Sequence, residues 1–136
     1  MKIPIDYNFD GIELKKFEWD STNVNIVVNI KNNAPIKMIL NDFECNLINN
    51  RNEKFAYCVL DNISIRSHSS LNVNINVVFY NKETSNLISD FINLKKSEFK
   101  IHVVNGKLKL FSLLPINLSN KIKSFNILDI IKLLMK

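Results

Sequence analysis

"LNVNINVVFY" (Leu71–Tyr80) alternates apolar residues with asparagine for six positions and then turns fully apolar. In an extended chain Leu71, Val73, Ile75, Val77 and Phe79 fall on one side, and Asn72, Asn74 and Asn76 on the other. A side-chain period of two marks a strand with one buried and one wet face. Strands covered by helices on both faces read as continuous apolar runs, so this alternation belongs to an antiparallel sheet with a solvated side. Asparagine is a weak strand former. Its regular placement predicts that the amides meet water or one another across strands, while burial of the other face holds the strand.

The pattern recurs along the chain. "VNIVVNIKN" (Val24–Asn32) places Val24, Ile26, Val28 and Ile30 on one face. Ile12–Trp19 changes apolar parity at Lys15-Lys16, which predicts a bulge. Phe43, Cys45 and Leu47 mark a third strand, and the polar run Asn49–Lys54 turns it into a fourth, Phe55–Leu60. Pairing Cys45 with Cys58 gathers Phe43, Leu47, Ala56 and Leu60 on one face; a shift of one residue gathers Phe55, Tyr57 and Val59. Both registers fit the sequence.

Asn105-Gly106 has the composition of a two-residue hairpin turn, whose central residues need positive φ. That turn would set Val104 opposite Lys107, His102 opposite Lys109 and Lys100 opposite Phe111. It would also put Phe99, Ile101, Val103, Leu108 and Leu110 inside. Two helices are predicted. Thr84–Leu94 spaces Leu87, Ile88, Phe91 and Ile92 as one stripe with Ser or Thr available as a cap, and Asn126–Met135 offers Asn126 as its cap. In the second helix Phe125 can pack on Ile130, and Asp129 sits in the first turn.

The 136 residues fit one domain, read as a β domain over 1–122 and an amphipathic helix over 123–136. With only Gly11 and Gly106 there is no glycine-rich phosphate loop. The 22 asparagines, many isoleucines and lysines and only two arginines match AT-rich coding. No apolar run reaches the roughly 18 residues of a membrane span, and no secretory signal opens the sequence. The expected location is cytoplasmic, or a virion if the composition reflects a viral origin. Cys45 and Cys58 are then reduced, most simply as small buried apolar residues.

Four stretches carry a resemblance: "FDGIELKKF", "VNIVVNIKNNAPIKMILNDFECNL", "SIRSHSSLNVNINVVF" and "INLKKSEFKIHVVNGKLKLFSLLPINL". Over roughly Phe9–Leu118 the chain resembles the late-embryogenesis-abundant type 2 family (the water-stress and hypersensitive-response domain), its bacterial members above all. The resemblance implies an immunoglobulin- or fibronectin-like antiparallel β-sandwich without a catalytic centre. A short internal helix and the C-terminal helix complete the expected fold, which is mainly β with about seven or eight strands.

Chemistry is sparse. His68 lies in a serine-rich turn that lacks the glycines of a nucleophile elbow. No histidines flank the two cysteines as zinc ligands would. No enzyme activity, cofactor, metal or small-molecule substrate is expected. Trp19 and the phenylalanines read as core. Charge is the asymmetric feature: residues 1–93 hold nine basic and eleven acidic side chains, residues 94–136 nine lysines against Glu98 and Asp129. Lys100, His102, Lys107, Lys109 and Phe111 share the outer face of the predicted hairpin. They serve either as a solvated guard for an edge strand or as a patch for an acidic partner. Lysine without arginine disfavours sequence-specific nucleic-acid reading. Ile127, Ile130, Ile131 and Leu134 give the last helix an apolar face too wide for one domain to cover. The expected function is that of a non-enzymatic structural or adaptor subunit, in a homo- or hetero-oligomer, through these two surfaces. A peripheral binder of anionic membranes and a stress-protective protein are the alternatives.

Overall fold

The computed structural model describes residues 5–93, 98–110 and 116–128. In chain order they form β1 (Ile5–Phe17), β2 (Ser21–Asn32), β3 (Met38–Ile48), β4 (Lys54–Leu60), β5 (Ile63–Ile65), β6 (Ser70–Tyr80), α1 (Asn81–Ile92), β7 (Glu98–Leu110), β8 (Ile116–Asn117) and β9 (Ile122–Asn126). Every pairing is antiparallel, as the alternation predicted. All the described strands join one sheet ordered β1-β2-β6-β4-β3-β7-β8, with β5 on β3 and β9 on β7. The sheet curls into a half-barrel, and α1 packs on its apolar side against β4 and β6.

The seam between β2 and β6 shows why both sequences alternate. Val24 faces Val77, Ile26 faces Ile75 and Val28 faces Val73, so burial fixes the register. On the opposite face the amides pair: Asn29 Nδ2 donates to Asn72 Oδ1 and Asn25 Nδ2 to Asn74 Oδ1, both at 2.9 Å, and Asn76 Nδ2 to Asn23 Oδ1 at 3.1 Å. Each amide thus satisfies a neighbour on the next strand, which offsets the weak strand preference of asparagine.

Between β3 and β4 the structure selects the register with Cys45 opposite Cys58. Both thiols are free and buried, beside Val24, Phe55, Ala56 and Val77. The hydrogen bond with Cys45, then burial, pushes the Cys58 thiol well above its ordinary pKa. One extra residue on β4 lets Phe55 and Ala56 both point into the core, at 3% and 0% exposure. Phe99 meets Phe55 edge-on at 5.9 Å and stacks on Phe125 at 5.7 Å. The bulge predicted at Lys15-Lys16 is present, and a second one lies at Asp10.

Three expectations are corrected. Asn105-Gly106 is not a turn: β7 runs straight through it, and Gly106 has no positive φ. A long register with β3 outweighs the local turn preference, and the glycine serves close approach instead. A Cβ there would lie 3.1 Å from Phe43 Cδ2 and 3.6 Å from Leu118 Cβ. The internal helix begins at Asn81, without a side-chain cap. Asn81 ties its start to the turn after β1, donating to the carbonyls of Glu18 and Trp19 and accepting from Thr22 Oγ1 at 2.7 Å. Trp19 is not core; it stands in that turn, 97% exposed. The expected helix over Asn126–Met135 lies mostly outside the described residues. Among the described residues at its start, Leu128 N–H donates to Asn126 Oδ1 at 2.9 Å.

Candidate functional site

Lys100, His102, Lys107 and Lys109 come together, but along one strand rather than across a hairpin. Strand alternation with one bulge at Val104 keeps them on the outer face, opposite Ile48, Asn46, Asn41 and Ile39 of β3. Lys100 and Lys107 are exposed, His102 and Lys109 half-buried. Their expected task of guarding a sheet edge falls away. β7 is flanked by β3 on one side and by β9 and β8 on the other. Phe111, Ile130, Ile131 and Leu134 lie outside the described residues, and Ile127 follows β9, half-buried.

The outer face holds a further cation that sequence reading missed. The extra residue on β4 turns Lys54 outward, opposite Ile48, which on its other side faces Lys100. Lys54 Nζ stands 4.9 Å from the ring centre of Tyr57 and 5.6 Å from that of Tyr80. Tyr57 donates to Glu44 Oε2. That bond to a carboxylate, then burial, pushes the Tyr57 hydroxyl up to about 12. The signal lay in "EKFAYC": Phe55 and Ala56 are adjacent apolar residues, so one extra residue on the strand keeps both inside.

A second surface lies at the opposite edge. Among the described residues β1 pairs only with β2. Its inward side carries Tyr7, Ile12, Leu14 and Phe17, which remain 59%, 61%, 61% and 73% exposed. They fall on the apolar side of the sheet but beyond the reach of α1, whose own Ile88 and Ile92 are 52% and 69% exposed. Periodicity, with the bulge at Lys15-Lys16, placed Ile12, Leu14 and Phe17 on one face. It could not tell a strand at the sheet's edge from one in its middle.

Among the described residues no group of three His, Cys, Asp or Glu could hold a metal ion. No helix there is long and apolar enough to cross a membrane.

The fold defines the class: a mainly β protein whose described residues form one curled antiparallel sheet and one helix. No family model and no curated protein matches the chain. Among solved structures it is similar to a protein from Archaeoglobus fulgidus, at 8% identity over 88% of this chain and 97% of that one, with a TM-score of 0.51. A protein from Arabidopsis thaliana aligns at 16% identity over 92% and 83% of the two chains, with a TM-score of 0.40. The Archaeoglobus likeness is one of fold alone.

Proposed function

We propose that the chain is a non-enzymatic β-sandwich of the late-embryogenesis-abundant type 2 kind that works by protein–protein contact, as a structural or adaptor subunit of a larger assembly. The observation that carries this reading is the gathering of large exposed apolar side chains on β1. Tyr7, Ile12, Leu14 and Phe17 are all more than half exposed, and all lie on one side of one strand. Single exposed apolar residues need no explanation, whereas a contiguous row marks a contact surface.

The test is association of the full chain with itself or with proteins of its source, measured before and after Ile12→Ser and Leu14→Ser. Both side chains are already wet, so the variants should fold; loss of association is the expected result. A wild-type chain that stays monomeric and captures no partner overturns the proposal.

The row of Lys54, Lys100, His102, Lys107 and Lys109 favours a second reading, attraction to an anionic surface. Vesicles of anionic lipid would then retain the protein at low salt and release it as salt screens the lysines. Retention that ignores salt counts against this reading.

A further inference from the structure

We infer that the partner of β1 is β1 of a second copy, paired antiparallel about a two-fold axis through Gly11. This rests on the contact reading above and gives that contact a partner and a register.

The argument begins with what β2 does to β1. Bulges at Asp10 and Lys15 drop those two residues from the alternation. The remaining residues sort cleanly by register. Those opposite Ile30, Val28, Ile26 and Val24 (Tyr7, Phe9, Ile12 and Leu14) point to the apolar side. Those opposite Lys31, Asn29, Val27, Asn25 and Asn23 (Asp6, Asn8, Gly11, Glu13 and Lys16) point to the other.

A two-fold axis normal to the sheet at Gly11 then matches like with like. Phe9 falls opposite Ile12 of the second copy, and Tyr7 opposite Leu14. On the polar side Asp6 meets Lys16, twice by symmetry. Ile5 and Phe17 close the two ends. The whole of β1 is used, and each apolar side chain that this strand leaves wet in the single chain gains an apolar neighbour.

Other registers fail. Sliding by two places one way sets Asp6 against Glu13; sliding the other way sets Lys16 against Asn8 and leaves Asp6 unpaired. Charge therefore selects the register that also pairs the apolar side chains. Gly11 at the axis suits this: among the described atoms nothing lies within 4 Å of where its Cβ would be. Lys16 is engaged by Glu18 at 2.7 Å and Asp6 by Asn33 at 2.8 Å. Both are exposed contacts, which exchange at little cost.

Bulges and lysines also serve to protect an edge from pairing. Protection alone gives no reason for Asp6 and Lys16 to stand at equal paired distances from Gly11. Nor does it account for an apolar residue at every inward position. Addition along one strand buries little area, so we expect a weak dimer, with Kd roughly micromolar.

The experiment measures the molar mass of the full chain against concentration for Asp6→Lys, for Lys16→Asp and for an equal mixture of the two. Either variant alone brings like charges together at both contacts and should raise Kd roughly tenfold or more. In the mixture Lys at 6 meets Asp at 16, and Asp at 6 meets Lys at 16, so a mixed dimer should return to nearly wild-type strength. Gly11→Cys offers an independent check. Its two thiols would face each other at the roughly 4.5–5.5 Å Cα separation of a paired position, within disulfide range. Added oxidant should link the copies, whereas Asn8→Cys, which faces Glu13, should remain unlinked.

A wild-type chain monomeric at several hundred micromolar overturns the inference. So does a dimer indifferent to both charge variants, or one that the mixture fails to restore. If hetero-association remains while the dimer is absent, the broader contact reading stands and the two-fold pairing does not.

Discussion

At Gly106 the missing side chain is a packing requirement. Because a Cβ would come within 3.1 Å of Phe43 Cδ2, Gly106→Val should cost roughly 1–3 kcal/mol through overpacking. Phe43→Leu, destabilising by itself, should cost less when Val occupies 106. Chemical denaturation of the four proteins of that cycle would measure this coupling, and strict additivity would show that the clash is relieved elsewhere. The same position explains a misreading of the sequence. Asn-Gly is the strongest short turn signal only when nothing distant competes, and here Asn105 instead faces Glu44 while its Oδ1 accepts the Gly106 N–H at 2.9 Å. Tyr57 makes a prediction in pH. Its folded pKa is raised from 10.0 to about 12, so its contribution is intact below pH 10 and is lost as pH rises toward 12. Tyr57→Phe should therefore lose less stability across that interval than the wild type does, as read from denaturant midpoints.

Among the elements, α1 depends most on side-chain anchors. Arg51 in the β3–β4 turn holds Asp90 through two bonds, at 3.1 and 2.9 Å, and Asp90 is only 7% exposed. Asn49 and Asn86 donate to Glu53 at 3.0 and 3.1 Å, and Thr84 Oγ1 donates to the Phe55 carbonyl at 3.1 Å. Arg51→Met leaves a nearly buried carboxylate without its guanidinium, which should lower stability and loosen exchange protection of α1 before that of β6. Acid acts on the same clasp. The hydrogen bonds from Asn49 and Asn86 hold Glu53 below its ordinary 4.5, so its contribution is full above that pH and is lost as pH falls through the depressed value. A Glu53→Gln protein should show a shallower acid decline. The stripe of Leu87 and Phe91 made this helix legible in the sequence. Its start was not, because Asn81 is placed by the turn after β1, 59 residues from its partner Thr22.

For the molecule as a whole, alternation revealed which side of each strand is apolar, and hence an antiparallel sheet with one wet face. Strand order stayed hidden, because β6 lies between β2 and β4 and β3 between β4 and β7 through contacts between distant segments. Both candidate surfaces turned on that order: the lysines of β7 moved from an edge to the interior of the sheet, and β1 became the exposed strand. Removing residues 129–136 separates the two routes to assembly proposed from the sequence and from the fold. If β1 carries the contact, the truncated chain should keep a β-type circular dichroism spectrum and the wild-type association. Loss of association from a folded truncation would assign the contact to those residues instead.

The three amide–amide bonds joining β2 to β6 contain no ionisable group. Such a seam is indifferent to protons and to dissolved ions alike, since there is no net charge to titrate or screen. The protein thus carries a seam without net charge between β1, with Asp6 and Lys16, and the lysine-bearing strands β4 and β7. A response of folding or association to ionic strength would therefore report on those flanking charges rather than on the amide bonds between β2 and β6.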